Sequence, residues 1–165
     1  MVCTTGACLN RQTGIWGRVG SMADLIHFNI EGIKPAPQGS KRHVGRGIMV
    51  EQSTNLKPWR EAVRQEALKA GAPMALGPVF LELVFRFARP KSHFNAKGLL
   101  KTSAPKHVTT KPDIDKIERS TLDALTGVLF KDDSQVCRVV KIKSYCMEGE
   151  LEGCEIIVQN VETGG

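Results

Sequence analysis

Four aspartates flank one helix-like run in this chain, KPDIDKIERSTLDALTGVLFKDDSQV (111–136): Asp113 and Asp115 just before or at its start, Asp132 and Asp133 just after it. Carboxylates repel one another, so a fold that gathers them must set a cation, a basic side chain or bulk water between them. A divalent metal is the sharpest of these readings, and hard oxygen donors suit Mg2+ or Mn2+. If the chain around Pro112 is extended, its two-residue period puts Asp113 and Asp115 on one face as a two-pronged ligand. Singly, each acid also has an ordinary explanation. An Asp before a helix is a cap, Asp-Asp-Ser is a turn, and Asp123, four residues after Arg119, is a surface pair.

The element that must bring the two acidic pairs together is the run between them. Ile117, Thr121, Ala124, Leu125 and Val128 recur at the spacing of one buried helix stripe, which predicts a helix ending at Gly127. Only a few residues, ending in Leu129, Phe130 and Lys131, then lead to Asp132 and Asp133, and the strand-like VCRVVKIK follows. The chain can therefore turn back and return the second pair to the first.

The segment PDIDKIERSTLDALTGVLFKDDSQV resembles the central motif of the RusA family of Holliday junction resolvases, whose pattern runs P-D-x-D-N-L-x-K, L-D-A-L-x-G, D-D-x-Q-V. Pro112, Asp113, Asp115, Leu122, Asp123, Ala124, Leu125, Gly127, Asp132, Asp133, Gln135 and Val136 match it at the same spacing. The likeness is close over this segment and loose elsewhere, where only the order of elements fits. It implies metal binding and catalysis by Asp113, Asp115 and Asp133, with Asp132 a weaker ligand and Asp123 facing solvent or paired with Arg119. Two positions depart from the pattern: the family's Asn is Lys116, and its Lys is Arg119. An arginine stays protonated, which disfavours proton donation there and leaves electrostatic stabilisation intact. Lys116 is expected to supply what the family's lysine supplies.

Charge agrees with a partner made of phosphates. The chain of 165 residues has a formal charge of +6, divided as +11 over residues 1–112 and −5 over 113–165. A basic body attracts a phosphate backbone while the carboxylates hold a metal, although a merely soluble basic protein has the same balance. From Arg86 to Lys111 there are seven Lys or Arg and no acid. This stretch has no clear period, and aperiodic connections of such length are functional or disordered. Lys91, Lys97, Lys101, Lys106 and Lys111 are therefore expected to contact phosphates as a loop or flap. A second acid-free patch, residues 34–46, adds Lys41 and Arg42 to the expected DNA contacts, together with Lys34 and Arg46.

Around the motif the pattern is α/β of the α+β type. LIHFNIEG reads as a strand with Ile26, Phe28 and Ile30 on one face, GIMVEQ as a short strand after a turn at Gly45–Gly47, and NLKPWREAVRQEALKAG as a helix. That helix has Asn55 as cap, Trp59, Val63 and Ala67 inward, and Gly71 as its stop. VFLELVFRFA alternates as a half-buried strand, and VCRVVKIKSYC with CEIIVQNV reads as a closing hairpin. The expectation is a single mixed sheet with two main helices packed on it, RusA-like, in one domain from residue 22 to 165. Residues 1–21 lack periodicity and signal-peptide character and are expected to be a disordered extension.

Five cysteines, none in a CxxC pair, argue for a reducing compartment, and the four histidines lack zinc spacing. No apolar run spans a membrane, and there is no P-loop. Together with the resemblance, these features imply a homodimeric endonuclease that resolves four-way DNA junctions by Mg2+-dependent phosphodiester hydrolysis, Mn2+ substituting. Its setting would be the cytoplasm of a bacterial or phage-infected cell. Two other classes compete: a junction-binding protein impaired in catalysis, which the altered Lys116 and Arg119 would favour, and a metal-dependent phosphohydrolase acting on another substrate.

Overall fold

The alternation VFLELVFRF is realised without a break: Val79, Leu81, Leu83, Phe85 and Phe87 are buried and the residues between them half-buried. In chain order the elements are β1 (Leu25–Glu31), β2 (Lys41–His43), β3 (Met49–Glu51), α1 (Leu56–Lys69), β4 (Val79–Phe87), α2 (Ile114–Leu125), β5 (Val136–Tyr145) and β6 (Gly153–Asn160). The computed structural model describes residues 25–39, 41–43, 49–51 and 54–160. The expected disorder of residues 1–21, the domain start at residue 22 and the turn at Gly45–Gly47 lie outside them.

One mixed four-stranded sheet carries the fold, as the sequence predicts; its order is β1-β6-β4-β5, and β2 pairs with β3 in a separate short ladder. β4 and β5 are parallel and joined through α2, while β6 runs antiparallel to both β4 and β1. The expected closing hairpin is thus wrong, because β4 lies between β5 and β6. The register gives the reason. On the covered face β6 sets Cys154, Ile156 and Val158 against Phe85, Leu83 and Leu81, an apolar match that suits the sheet centre. β5 sets Lys141 and Lys143 at the corresponding positions, opposite Leu83 and Phe85. A strand with lysines on its covered face is tolerated at an edge, where the ammonium ends can reach polar partners.

Both helices cover one face of this sheet. α1 buries Leu56, Trp59, Val63 and Ala67, and Gly71 takes the left-handed conformation (φ 64°) just past its end. α2 buries Ile117, Ala124 and Leu125 and, between them, Ser120 and Thr121. The two hydroxyls are satisfied: Ser120 Oγ donates to Ala36 O (2.6 Å), and Thr121 Oγ1 donates to Ile117 O (2.8 Å). The helix stops at Leu125, two residues short of the expected Gly127, so Val128 packs half-buried in the following turn. Part of the second basic patch, read as turn-rich, is strand β2. Three residues are too few for a period to appear.

Candidate active site at the start of helix α2

The helix begins one residue after Asp113, and this start decides where the acids point. Asp113 is extended (φ −69°, ψ 139°) at the N-cap, and Asp115 already lies in the first turn. They do not form the two-pronged ligand expected of an extended run. Asp113 makes no capping hydrogen bond, so the ordinary explanation for it fails. Its carboxylate accepts instead from Lys116 Nζ, 2.8 Å away. This hydrogen bond and the charge of Lys116 hold the Asp113 carboxyl below the usual carboxylate range, and the same contacts push Lys116 up.

The first turn of α2 forms a ridge between two depressions. One, lined by Asp115, Glu118, Arg119, Leu122 and Asp133, brings together acids from both sides of the helix. The chain therefore does return the second acidic pair to the first, through Asp133. The other depression, about 350 Å3, is lined by Lys34, Pro35, Ala36, Pro37, Asn55, Lys111, Pro112, Asp113 and Lys116. Asp113 thus faces the basic side of the ridge and Asp115 the acidic side.

Asp132 behaves as the ordinary reading says. Its side chain accepts from Ser134 N (2.9 Å) at the head of a single 3-10 turn, and Ser134 holds its carboxyl below the usual range. Asp133, one residue on, is exposed and makes no such bond. Asp123 is exposed, as one of the two expected alternatives has it, and it pairs with Arg60 of α1 instead of Arg119, because residues of α2 on that side face α1.

Three residues that hold this geometry, Glu118, Lys141 and Lys143, were missed in the sequence, and a fourth, Gln135, was named only as a motif match. Gln135 Oε1 accepts from Lys131 N (2.8 Å) and Asp132 N (3.1 Å), while its Nε2 donates to Ala75 O (3.1 Å) and Gly77 O (3.0 Å). It fastens the acidic turn to the segment before β4. Lys143 Nζ donates to Thr110 O (2.6 Å) and Pro112 O (2.8 Å), fixing the approach to Asp113, and Lys141 pairs with Glu118. Glu118 could have been found from its spacing, since Asp115, Glu118 and Arg119 at i, i+3 and i+4 share a helix face. The lysines of β5 look like solvent residues until the sheet order is known.

The oxygen donors of Asp115, Glu118 and Asp133 suit a hard cation. Among the described residues, however, no three His, Cys, Asp or Glu side chains are grouped so as to hold a metal ion as they stand. Asp113 is held by Lys116 and Glu118 by Lys141. Asp115 and Asp133 are thus the pair the fold converges on. Arg119, beside them, makes no ion pair among the described residues.

The basic stretch before the motif is an ordered excursion. Phe94 bridges Leu100, Asn95 Oδ1 accepts from Lys97 N (2.9 Å) and Leu99 N (3.0 Å), and Tyr145 N donates to Lys106 O (3.0 Å). Some of its cations are braces. Lys101 Nζ donates to Ser92 O (2.8 Å), and Arg89 donates to Cys146 O (2.9 Å) and Pro105 O (2.8 Å). Lys91, Lys97, Lys106 and Lys111 have no side-chain partner among the described residues. Lys41 and Arg42 fall in β2, whose side chains lie outside the description.

The structure thus combines an α+β sheet with a depression at a helix start that Asp115, Glu118, Arg119 and Asp133 share. Residues 32–158 match the family model of the endodeoxyribonuclease RusA, and the chain belongs to that family. It is also similar to the uncharacterized protein YqaN of Bacillus subtilis (strain 168), with 31% identity over 135 residues, 78% of this chain and 94% of that protein. No helix among the described residues is long and apolar enough to cross a membrane.

Proposed function

We propose that this protein is a structure-selective endonuclease that resolves four-way DNA junctions by hydrolysing phosphodiester bonds with Mg2+, Mn2+ substituting. The observation that carries the reading is the depression shared by Asp115, Glu118, Arg119 and Asp133 in a chain of the RusA endodeoxyribonuclease family. Asp115 and Asp133 would hold the ion, with Asp113 joining once Lys116 leaves it, and Asp132 contributing its structural cap beside them. The ion supplies polarisation of a phosphate and a more acidic bound water.

The chain's own residues do the rest. Arg119, permanently charged and without an ion pair among the described residues, lines the depression and would stabilise negative charge developing on phosphoryl oxygens. Gln135 fixes Asp133, while Lys143 fixes the peptide before Asp113, so the acids are held by bonds to the fold. Resolution needs two cuts, which a two-fold homodimer would provide. With DNA as substrate, the protein would act in the cytoplasm of a bacterial or phage-infected cell, in recombination or repair.

A second reading, a junction-binding protein impaired in cleavage, is favoured by the ion pair that occupies Asp113. One assay separates the two. Synthetic four-way junctions should be cut in Mg2+, with linear duplex and single strands spared and excess chelator abolishing cleavage. Tight junction binding with no cleavage in Mg2+ or Mn2+ would favour the second reading, and full cleavage in chelator would remove the metal.

A further inference from the structure

The larger depression, on the far side of the α2 ridge, has the build of an anion site. Three ammonium groups, Lys34, Lys111 and Lys116, line it against one carboxylate, Asp113, and Asn55 adds an amide not used in capping. Its floor is held in place. Pro35 and Ala36 are buried, Ser120 Oγ donates to Ala36 O (2.6 Å), and Gln38 N donates to Lys116 O (3.0 Å), so the 35–38 segment is bonded to α2 itself. Lys34 and Lys111 make no ion pair among the described residues, and Lys116 is the only one of the three with a carboxylate partner there. A cavity of about 350 Å3 with that excess of positive charge accommodates a phosphate group and its ester neighbours.

We infer that this cavity seats a backbone phosphate of the substrate strand between Lys34 and Lys111, and that Lys116 passes from Asp113 to that phosphate when it arrives. The inference rests on the nuclease reading and deepens it. Lys116 and Asp113 are both partly exposed, 40% and 48%, so the pair is a weak one that a competing anion can open. Opening it removes a cation from Asp113 at the moment DNA is bound. The freed carboxylate, two residues from Asp115 but on the other side of the ridge, then adds its negative charge to the field that draws a divalent ion. Cation binding and DNA binding are thereby coupled through Lys116, and by linkage the coupling is reciprocal.

The test uses the full chain and two readings that do not depend on cleavage. In chelator, fluorescence anisotropy gives the slope of log affinity against log salt for a four-way junction. The double variant Lys34→Ala/Lys111→Ala should lower that slope by about one phosphate contact, ~0.9 on duplex DNA. Calorimetric titration of Mn2+ into DNA-free protein should show Lys116→Asn binding the ion several-fold more tightly than the parent. Junction affinity with and without Ca2+ should show the parent gaining more from the ion than Lys116→Asn does. An unchanged salt slope in the double variant, or an unchanged Mn2+ affinity in Lys116→Asn, overturns the inference while leaving the nuclease reading intact. A parent that does not bind the junction at all overturns both. The three positions are at the surface, so thermal melting confirms that the variants are folded.

Discussion

Lys116 Nζ lies 2.8 Å from the Asp113 carboxylate, one turn along the same helix, and this pair stands where the family pattern has an asparagine and an aspartate. The position that an uncharged amide occupies in the pattern thus carries an ammonium that neutralises one acid of the site. Asp115 and Asp133, in the neighbouring depression, have no such partner among the described residues. The acids are consequently unequal before any substrate arrives.

Asparagine substitutions should separate them. Asp115→Asn and Asp133→Asn are expected to cut the single-turnover cleavage rate by about two orders of magnitude or more, the scale lost with a principal electrostatic stabiliser. Asp113→Asn should do the same once DNA has drawn Lys116 away. Junction binding should persist in all three, because each removes negative charge near phosphates. Asp132→Asn should remain close to the parent, since Asn caps a helical turn as well as Asp does. Asp123→Asn, which loses only the Arg60 contact, should also leave cleavage near the parent. If Asp132 proved as sensitive as Asp133, the division between cap and ligand would be wrong.

Arg119 tests charge without titration. Arg119→Ala should slow the chemical step by about 100-fold, while Arg119→Lys, which restores the family's residue, should retain or raise activity. Single-turnover rates at saturating enzyme make the comparison. A parent-like Arg119→Ala would move the role to Lys116 or abolish it.

Gln135 is a positioning residue with four hydrogen bonds across two segments. Gln135→Ala should destabilise the fold by about 1 to 2 kcal/mol, because backbone groups at Ala75, Gly77, Lys131 and Asp132 lose partners. Cleavage should fall further than melting predicts, as Asp133 is no longer held over the depression. Gln135→Glu keeps the acceptor and loses the donor, so it should fall between the parent and Gln135→Ala in stability. Unchanged melting in Gln135→Ala would contradict the bonding described.

The cysteines report on the sheet order. Cys154 lies on β6 between β1 and β4, where burial pushes its thiol far up; burial, with Glu150 nearby, also raises Cys146. A raised thiol pKa lowers the reactive thiolate fraction at neutral pH. Cys137, on the edge strand β5, is exposed. Among the described cysteines, alkylation of the native protein at neutral pH, followed by peptide mapping, should therefore mark Cys137 before the others and Cys154 only on unfolding. Equal labelling of Cys137 and Cys154 in the folded state would refute the central placement of β6.

What the sequence disclosed follows from which signals are local. The strand Val79–Phe87, helix α1 and the inner stripe of α2 were legible because burial imposes a period on one segment at a time. The placement of β5 and β6 was not, since adjacency in sequence suggests a hairpin and the decisive fact, apolar residues of β6 matching those of β4, appears only in the register. The motif pointed to Asp113, Asp115 and Asp133, which line the two depressions, but not to their partition between them. That depends on the helix starting at Ile114, where a shift of one residue turns Asp115 from the Asp113 side of the ridge to the other. Glu118, Lys141 and Lys143 were passed over because a charged residue on an amphipathic element reads as solvent-facing until its neighbour is known.

The basic excursion from Arg86 to Lys111 now divides into braces and free cations, and this sharpens what its lysines should do. Lys101 is tied to the carbonyl of Ser92 within the excursion, whereas Lys91, Lys97 and Lys106 have no side-chain partner among the described residues. If those three neutralise backbone phosphates, each releases condensed counterions on binding. Lys91→Ala/Lys97→Ala/Lys106→Ala should then flatten the dependence of log junction affinity on log salt by roughly two to three units. Binding to junction and to plain duplex should weaken together, because phosphate contacts carry no sequence information. Lys101→Ala should behave differently, loosening the excursion while altering the salt slope by less than one contact, ~0.9. Mn2+ affinity in the absence of DNA should stay at the parent's value in both variants, since none of these lysines lines either depression. A triple variant with the parent's slope would mean that the excursion stands clear of the DNA, and would leave Lys34 and Lys111, which line the depression beside Asp113, as cations on which the strand could be held.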